Sequence, residues 1–297
     1  MPFTLSHPAA VLPLLRRPFS TVALVAGAVA PDLPYFARRT PIPVTAQSWY
    51  EPYMNATTSH GLVGALTVSL PYAVALCGLY WVARRPVRAL LADGAAAAAG
   101  PTAETRGAGS RAAGGGGATA GTPRGVGAMR RRTFGAVARR AGWVLLSLLI
   151  GVATHLLWDS FTHSDGYVVQ HVPALTEPLA AGLTWARALQ HVSTVVGLVL
   201  VAVYLWRRRT RLTDAAGGRV VGARTLWVVG AVAVAGASLG TIDLWEGTGL
   251  TVGQTTEAAL AGAATGAGAA LVGGLVLYVT GWWVARGLGG LRRARTA

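Results

Sequence analysis

The chain has 297 residues, 53% of them hydrophobic and only 12% charged, which excludes an ordinary soluble domain and predicts an integral membrane protein. Its net charge of +15 comes from arginines in the loops between apolar runs, so the charge reports topology and predicts no nucleic-acid partner. The single cysteine, Cys77, excludes a disulfide framework and a CxxC metal site.

In chain order, Ser6-His7-Pro8 followed by AAVLPLL reads as a helix start, and the order of residues does not fit a cleavable signal peptide. Arg16-Arg17-Pro18 breaks that run, and residues 19–30 form a second short helix expected to stop at Pro31-Asp32-Leu33-Pro34. The two make a hairpin that brings His7 and Asp32 to one level, with a thin first span as the competing possibility. Residues 37–58, with Trp49, Tyr50 and Tyr53, suit an interfacial loop. Thr57-Thr58-Ser59 then caps a membrane helix that opens on His60 and runs to Val82.

Residues 84–141 carry eleven arginines amid Gly/Ala-rich sequence and read as a disordered cytoplasmic linker. The central span follows, WVLLSLLIGVATHLLWDSFTH over 143–163. At helical spacing His155, Asp159 and His163 share one face over roughly 12 Å. Residues 164–184 form a loop that holds His171, expected to take no part in a site. Trp185–Trp206 is the next span, with Gln190-His191 near its start, and residues 225–245 and 258–285 are two more. Asp243, Glu246 and Glu257 fall in the loop joining them, and the Gly/Ala content of both favours close packing. The fold class predicted is all-α, a membrane bundle of about five to six helices including the N-terminal hairpin.

Arginine density orients the bundle. Eleven arginines in 84–141, six in 207–224 and four from Arg286 onward predict that these segments and both termini are cytoplasmic. Asp32, His60, His155, Asp159, His163 and His191 then converge toward the extracytoplasmic side. Imidazoles and carboxylates together are the donor set of zinc, with manganese or iron as alternatives, and the number present suffices for one metal or for two sharing a carboxylate. The competing reading of each histidine is a helix-packing hydrogen bond.

MPFTLSHPAAVLPL, APDLPYF, TSHG, HLLWDSFTH and ALQHVSTVVG together resemble a family of bacterial multi-pass membrane proteins classed as a domain of unknown function. That family is distantly similar to membrane-bound metal-dependent hydrolases, and more remotely to zinc-dependent phospholipase C. The resemblance implies a metal site of His7, Asp32, His60, His155, Asp159 and His163. Gln190 and His191 match the first family alone and are expected around that site. The function expected is a metal-dependent hydrolase acting on lipid or lipid-linked phosphate esters in the cell membrane, with Asp159 or Asp32 as base. A transporter or proton relay built on the same residues and a structural subunit are the alternatives.

Overall fold

The computed structural model describes residues 4–40, 42–99, 126–180, 182–215, 223–242 and 252–296. The chain is a multi-pass membrane protein: five helices are long and apolar enough to cross a bilayer, within Leu62–Leu90, Gly135–His171, Trp185–Arg209, Arg224–Thr241 and Val252–Leu288. A two-stranded ladder, Pro178–Ala180 with Leu183–Thr184, is the sheet among the described residues. Most of the apolar surface faces outward, as lipid solvent allows. Trp185–Arg209 has 6% of its apolar window buried, against 28% for Gly135–His171, which makes the latter the central helix.

The N-terminal hairpin consists of α1 (Pro8–Val11) and α2 (Thr21–Val29). Ser20 caps α2 through its side chain, and its own N–H donates to Ser147 Oγ at 3.0 Å. Phe19 meets Trp143 edge to face. The hairpin tip is therefore level with Trp143, whereas His7 at its open end reaches Asp159, about 24 Å further along the central helix. The expected stop at Pro31 is a change of helix type instead: a 3-10 turn over Ala30–Asp32 leads into α3 (Leu33–Ala37), with each proline in a first turn, where its missing N–H costs nothing.

Helix α4 (Ala56–His60) ends at His60 rather than opening there. Gly61 is extended, and a π-helical turn over Ala65–Ser69 leads into α5 (Leu70–Ala99). The central helix is α6 (Val126–Thr162), followed by α7 (Trp185–Ala215), α8 (Ala223–Thr241) and α9 (Val252–Thr296). Helix thus enters both ends of the expected linker, because its alanine- and arginine-rich flanks are good helix formers that simply prolong the spans; residues 100–125 lie outside the described set, as do Asp243 and Glu246. Helices α8 and α9 close on each other where Gly236 and Gly240 meet Gly262 and Gly266.

Two features of α6 position the site. Its face toward α2 is shaved by glycine: a Cβ on Gly151 would strike the carbonyl of Leu24, and one on Gly27 the carbonyl of Leu148. The backbones therefore approach closely enough for a backbone carbonyl of α2 to meet a side chain of α6. The second feature is direction. With His7 against Asp159, the start of the described chain lies at the His60 and Thr162 end of the bundle, while Tyr278 and Trp283 of α9 reach Pro86 and Val82 at the other end. Thr4 and the later part of α9 thus lie toward opposite ends of the bundle, because a hairpin returns the chain to the end it entered from.

Candidate metal centre

Six side chains meet at the open end of the hairpin. His155 and Asp159, one turn apart on α6, present Nε2 and Oδ2 at 3.1 Å from each other. His60 Nε2 lies 3.1 Å from Asp159 Oδ2 and 3.3 Å from His155 Nε2. Asp32 Oδ1 is 3.6 Å from His60 Nε2 and 3.5 Å from His155 Nε2. The ligand atoms of Asp32, His60, His155 and Asp159 all fall within 4.8 Å of one another. Five of the six edges of this tetrahedron average about 3.3 Å, and a regular tetrahedron of that edge would have its centre about 2.0 Å from each vertex, the zinc–imidazole and zinc–carboxylate distance.

Both imidazoles are aimed by backbone carbonyls. His155 Nδ1 is 2.7 Å from the Ala28 carbonyl, the contact that the α2–α6 approach permits, and His60 Nδ1 is 2.7 Å from the Ala56 carbonyl. A carbonyl only accepts, so each Nδ1 carries a proton and Nε2 is the nitrogen turned to the centre, its lone pair open to a cation once the ring is neutral. Two lone pairs at 3.3 Å repel unless a cation or a shared proton lies between them. Ser59 holds the parts together: its hydroxyl donates to the Pro31 carbonyl at 2.6 Å, and its own carbonyl accepts from Ser69 Oγ at 2.7 Å, which ties α4 to the Asp32 turn and to the π-helical turn.

His7 and His163 complete the group. His7 is 1% exposed, stacks on His155 with ring centroids 3.7 Å apart, and has Nε2 3.6 Å from Asp159 Oδ1. His163 Nδ1 is 3.4 Å from the same oxygen. Several of these atoms are near one another yet misaligned for hydrogen bonding: both nitrogens of His7, Asp32 Oδ2, both oxygens of Asp159 and His163 Nδ1 are buried without a hydrogen-bond partner. A buried polar atom left so costs about 1–3 kcal/mol, and these converge where a cation would satisfy them.

The electrostatics follow from burial against pairing. For His7 burial dominates and pushes the imidazole down to about 4, with the neighbouring His155 acting in the same direction. For His60 burial opposes the charged form, but Asp159 and Asp32 outweigh it and raise the group to about 9. Burial would likewise raise Asp32, yet His155 and His60 hold it below the usual carboxylate range.

All six residues expected from the motifs are thus brought together. His191 is not among them. Its Nε2 lies 3.5 Å from Glu257 Oε1 on α9, which also holds Arg187, so a shared depth along the membrane does not imply a shared face. Glu257 itself is in α9, not in the preceding loop. Gln190 is buried on the face of α7 that carries Gly197, against which Ser6 packs; among the described residues no hydrogen bond or ion pair links it to the cluster. His171 is exposed and stacks on Tyr167, away from the site. Tyr35, whose ring meets His60 edge to face at 6.3 Å, was not anticipated, although it lies one helical turn beyond Asp32 in APDLPYF.

The chain belongs to the family described as a domain of unknown function, DUF4184. The family model matches residues 1–280, so it takes in every member of the cluster. No curated protein and no solved structure matches the chain. The family description names no activity, which leaves the chemistry to be argued from the site.

Proposed function

We propose that this chain is a membrane-embedded metal-dependent hydrolase that acts on a lipid or lipid-linked phosphate ester, with zinc as the first choice of metal and manganese or iron as substitutes. The observation that carries the reading is the set of four donor atoms, all within 4.8 Å of one another and with five of their six separations at 3.1–3.6 Å, whose two imidazoles are pre-aimed by carbonyls. When bound, the metal would polarise a phosphoryl oxygen and lower the pKa of a coordinated water. His60, His155 and Asp159 would hold it. Asp32, whose oxygen stands further from both imidazoles, would accept the proton of the water. That division leaves one coordination position open, as a catalytic site requires; four protein ligands would make the site closed and structural.

A lipid substrate is supported by the surroundings. A cavity of 420 Å³ lined by Ala10, Leu157, Trp158, Phe161 and Leu189 lies beside the cluster, with Trp158 also touching His7. Its walls are mostly apolar, with Thr154, Thr162 and Ser193 as the polar members, so an acyl chain would enter it without leaving the bilayer. With arginine-rich segments in the cytoplasm of the cell, the site would face outward across the cell membrane.

The test is metal analysis of the full chain purified in detergent without chelators, followed by hydrolysis of a chromogenic nitrophenyl phosphodiester in mixed micelles. Stoichiometric zinc and turnover abolished by Asp32→Asn are expected. A wild-type chain that stays metal-free after incubation with zinc or manganese refutes the hydrolase and favours a proton relay over the same residues.

A further inference from the structure

The first centre engages only one oxygen of each aspartate, Asp159 Oδ2 as a ligand and Asp32 Oδ1 as the base beside it. Asp159 Oδ1 turns the other way, toward His7 Nε2 at 3.6 Å and His163 Nδ1 at 3.4 Å. Asp32 Oδ2 lies on that side too, 4.0 Å from His7 Nε2. All four of these atoms are buried and have no hydrogen-bond partner, and His7 itself is 1% exposed. Packing does not account for this second group. A histidine kept in a core for shape would turn one nitrogen to a carbonyl, as His60 and His155 both do.

We infer that the cluster is a dinuclear centre, in which a second divalent cation is held by His7 Nε2, His163 Nδ1 and Asp159 Oδ1, with Asp159 as the bridging carboxylate and Asp32 Oδ2 at its edge. The inference rests on the metal-centre reading above and deepens it. An anion shared between two cations is the usual way for adjacent metals to offset their repulsion, and hydrolytic centres place such a pair so as to stabilise both the attacking and the leaving oxygen. The wider spacing around this second position and the partial exposure of His163 suit an ion that keeps water among its ligands and exchanges more readily than its neighbour. The N-terminal hairpin then has a stated role, because it contributes His7 to the second position and Asp32 to the space between the two.

The experiment is zinc stoichiometry of the full-length chain in detergent micelles, stripped, reloaded with zinc and passed over a desalting column. About two zinc ions per chain are expected for the wild type, about one for the His7→Gln/His163→Ala double variant, and about one for His163→Ala alone, which lies near the surface and leaves the core intact. Manganese-loaded wild type should give the resonance spectrum of a coupled pair, and the variants that of an isolated ion. One zinc in the wild type, or two retained in both variants, overturns the dinuclear centre while leaving the single-metal reading standing. No zinc in the wild type overturns both.

Discussion

Asp159→Asn separates a metal ligand from a helix-packing hydrogen bond, because Asp159 lies within ion-pair reach of His7, His60, His155 and His163 at 3.1–3.6 Å. The amide keeps the shape and one acceptor but loses the negative charge. Loss of a partner that only supports a metal-bound histidine costs about 10- to 100-fold in affinity, so loss of an anionic ligand should cost at least about 100-fold. At free zinc about 1,000 times the wild-type Kd, binding adds about 4.1 kcal/mol of stability; a 100-fold weaker site retains about 1.4 kcal/mol of it. Zinc-dependent stability therefore falls by about 2.7 kcal/mol. Without metal the same substitution should shift stability by no more than about 0.6–2 kcal/mol, the range of a buried membrane hydrogen bond. The assay is thermal unfolding in detergent of both proteins, each with and without zinc. Equal zinc-induced shifts in wild type and variant, or none in either, would refute the reasoning.

Gly151→Ala changes no ligand, but its Cβ meets the Leu24 carbonyl and must push α2 from α6; it should cost about 1–3 kcal/mol and weaken zinc binding about 10- to 100-fold by withdrawing Ala28 from His155, both readable from unfolding and zinc titration. His191→Ala should leave zinc content unchanged and stability within about 1 kcal/mol, since it removes only an exposed pair with Glu257. Zinc binding must displace the proton that Asp159 and Asp32 hold on His60 up to about pH 9, so apparent affinity should rise about tenfold per pH unit from neutrality to that point and fall as pH drops, measured by competition with a chelating dye. Accessibility tags ahead of Thr4 and at Arg111 should report opposite faces of the membrane, the second one cytoplasmic.

The ladder on α6 was legible in the sequence because a helix has a fixed period: His155, Asp159 and His163 had to share a face, and two of their contacts are the i, i+4 pairs at 3.1 and 3.4 Å. The meeting of His7 with Asp32 was legible from the prolines and arginines that force a hairpin. What periodicity could not give is rotation of one helix about its axis relative to another. His191 has the right depth but the wrong azimuth and is claimed by Glu257. Nor could side-chain motifs reveal the carbonyls of Ala28 and Ala56, which any residue supplies; the glycines at 27 and 151 are the available signal, and a small residue in an apolar run does not by itself announce a close helix approach. Helix over 84–99 and 126–141 was not legible, because alanine-rich sequence is equally at home in a helix and in a linker.

The hairpin explains why residues 4–37 contain no helix long enough to span. His7 and Asp32 are 25 residues apart in the sequence and belong to one centre. Joined by a single straight helix, they would stand about 37 Å apart, on opposite sides of the bilayer. A turn near Arg16-Arg17-Pro18 halves the path and returns it, and the helix-type change at Pro31 lets Asp32 face α6 without ending the chain's hydrogen bonding abruptly. The cost is an element too short to be held by lipid alone, so it must be held by packing: Val11, Leu24 and Ala28 are fully buried, and α2 lies against α6 along its glycine face. Packing of the hairpin against α6 thus also sets where His7 and Asp32 stand in the cluster. Metal loading should therefore protect the amides of residues 21–29 from hydrogen exchange, whereas those of α8, which among the described residues packs mainly on α9, should exchange at the same rate with and without zinc; equal protection throughout would mean that the hairpin is docked independently of the cluster.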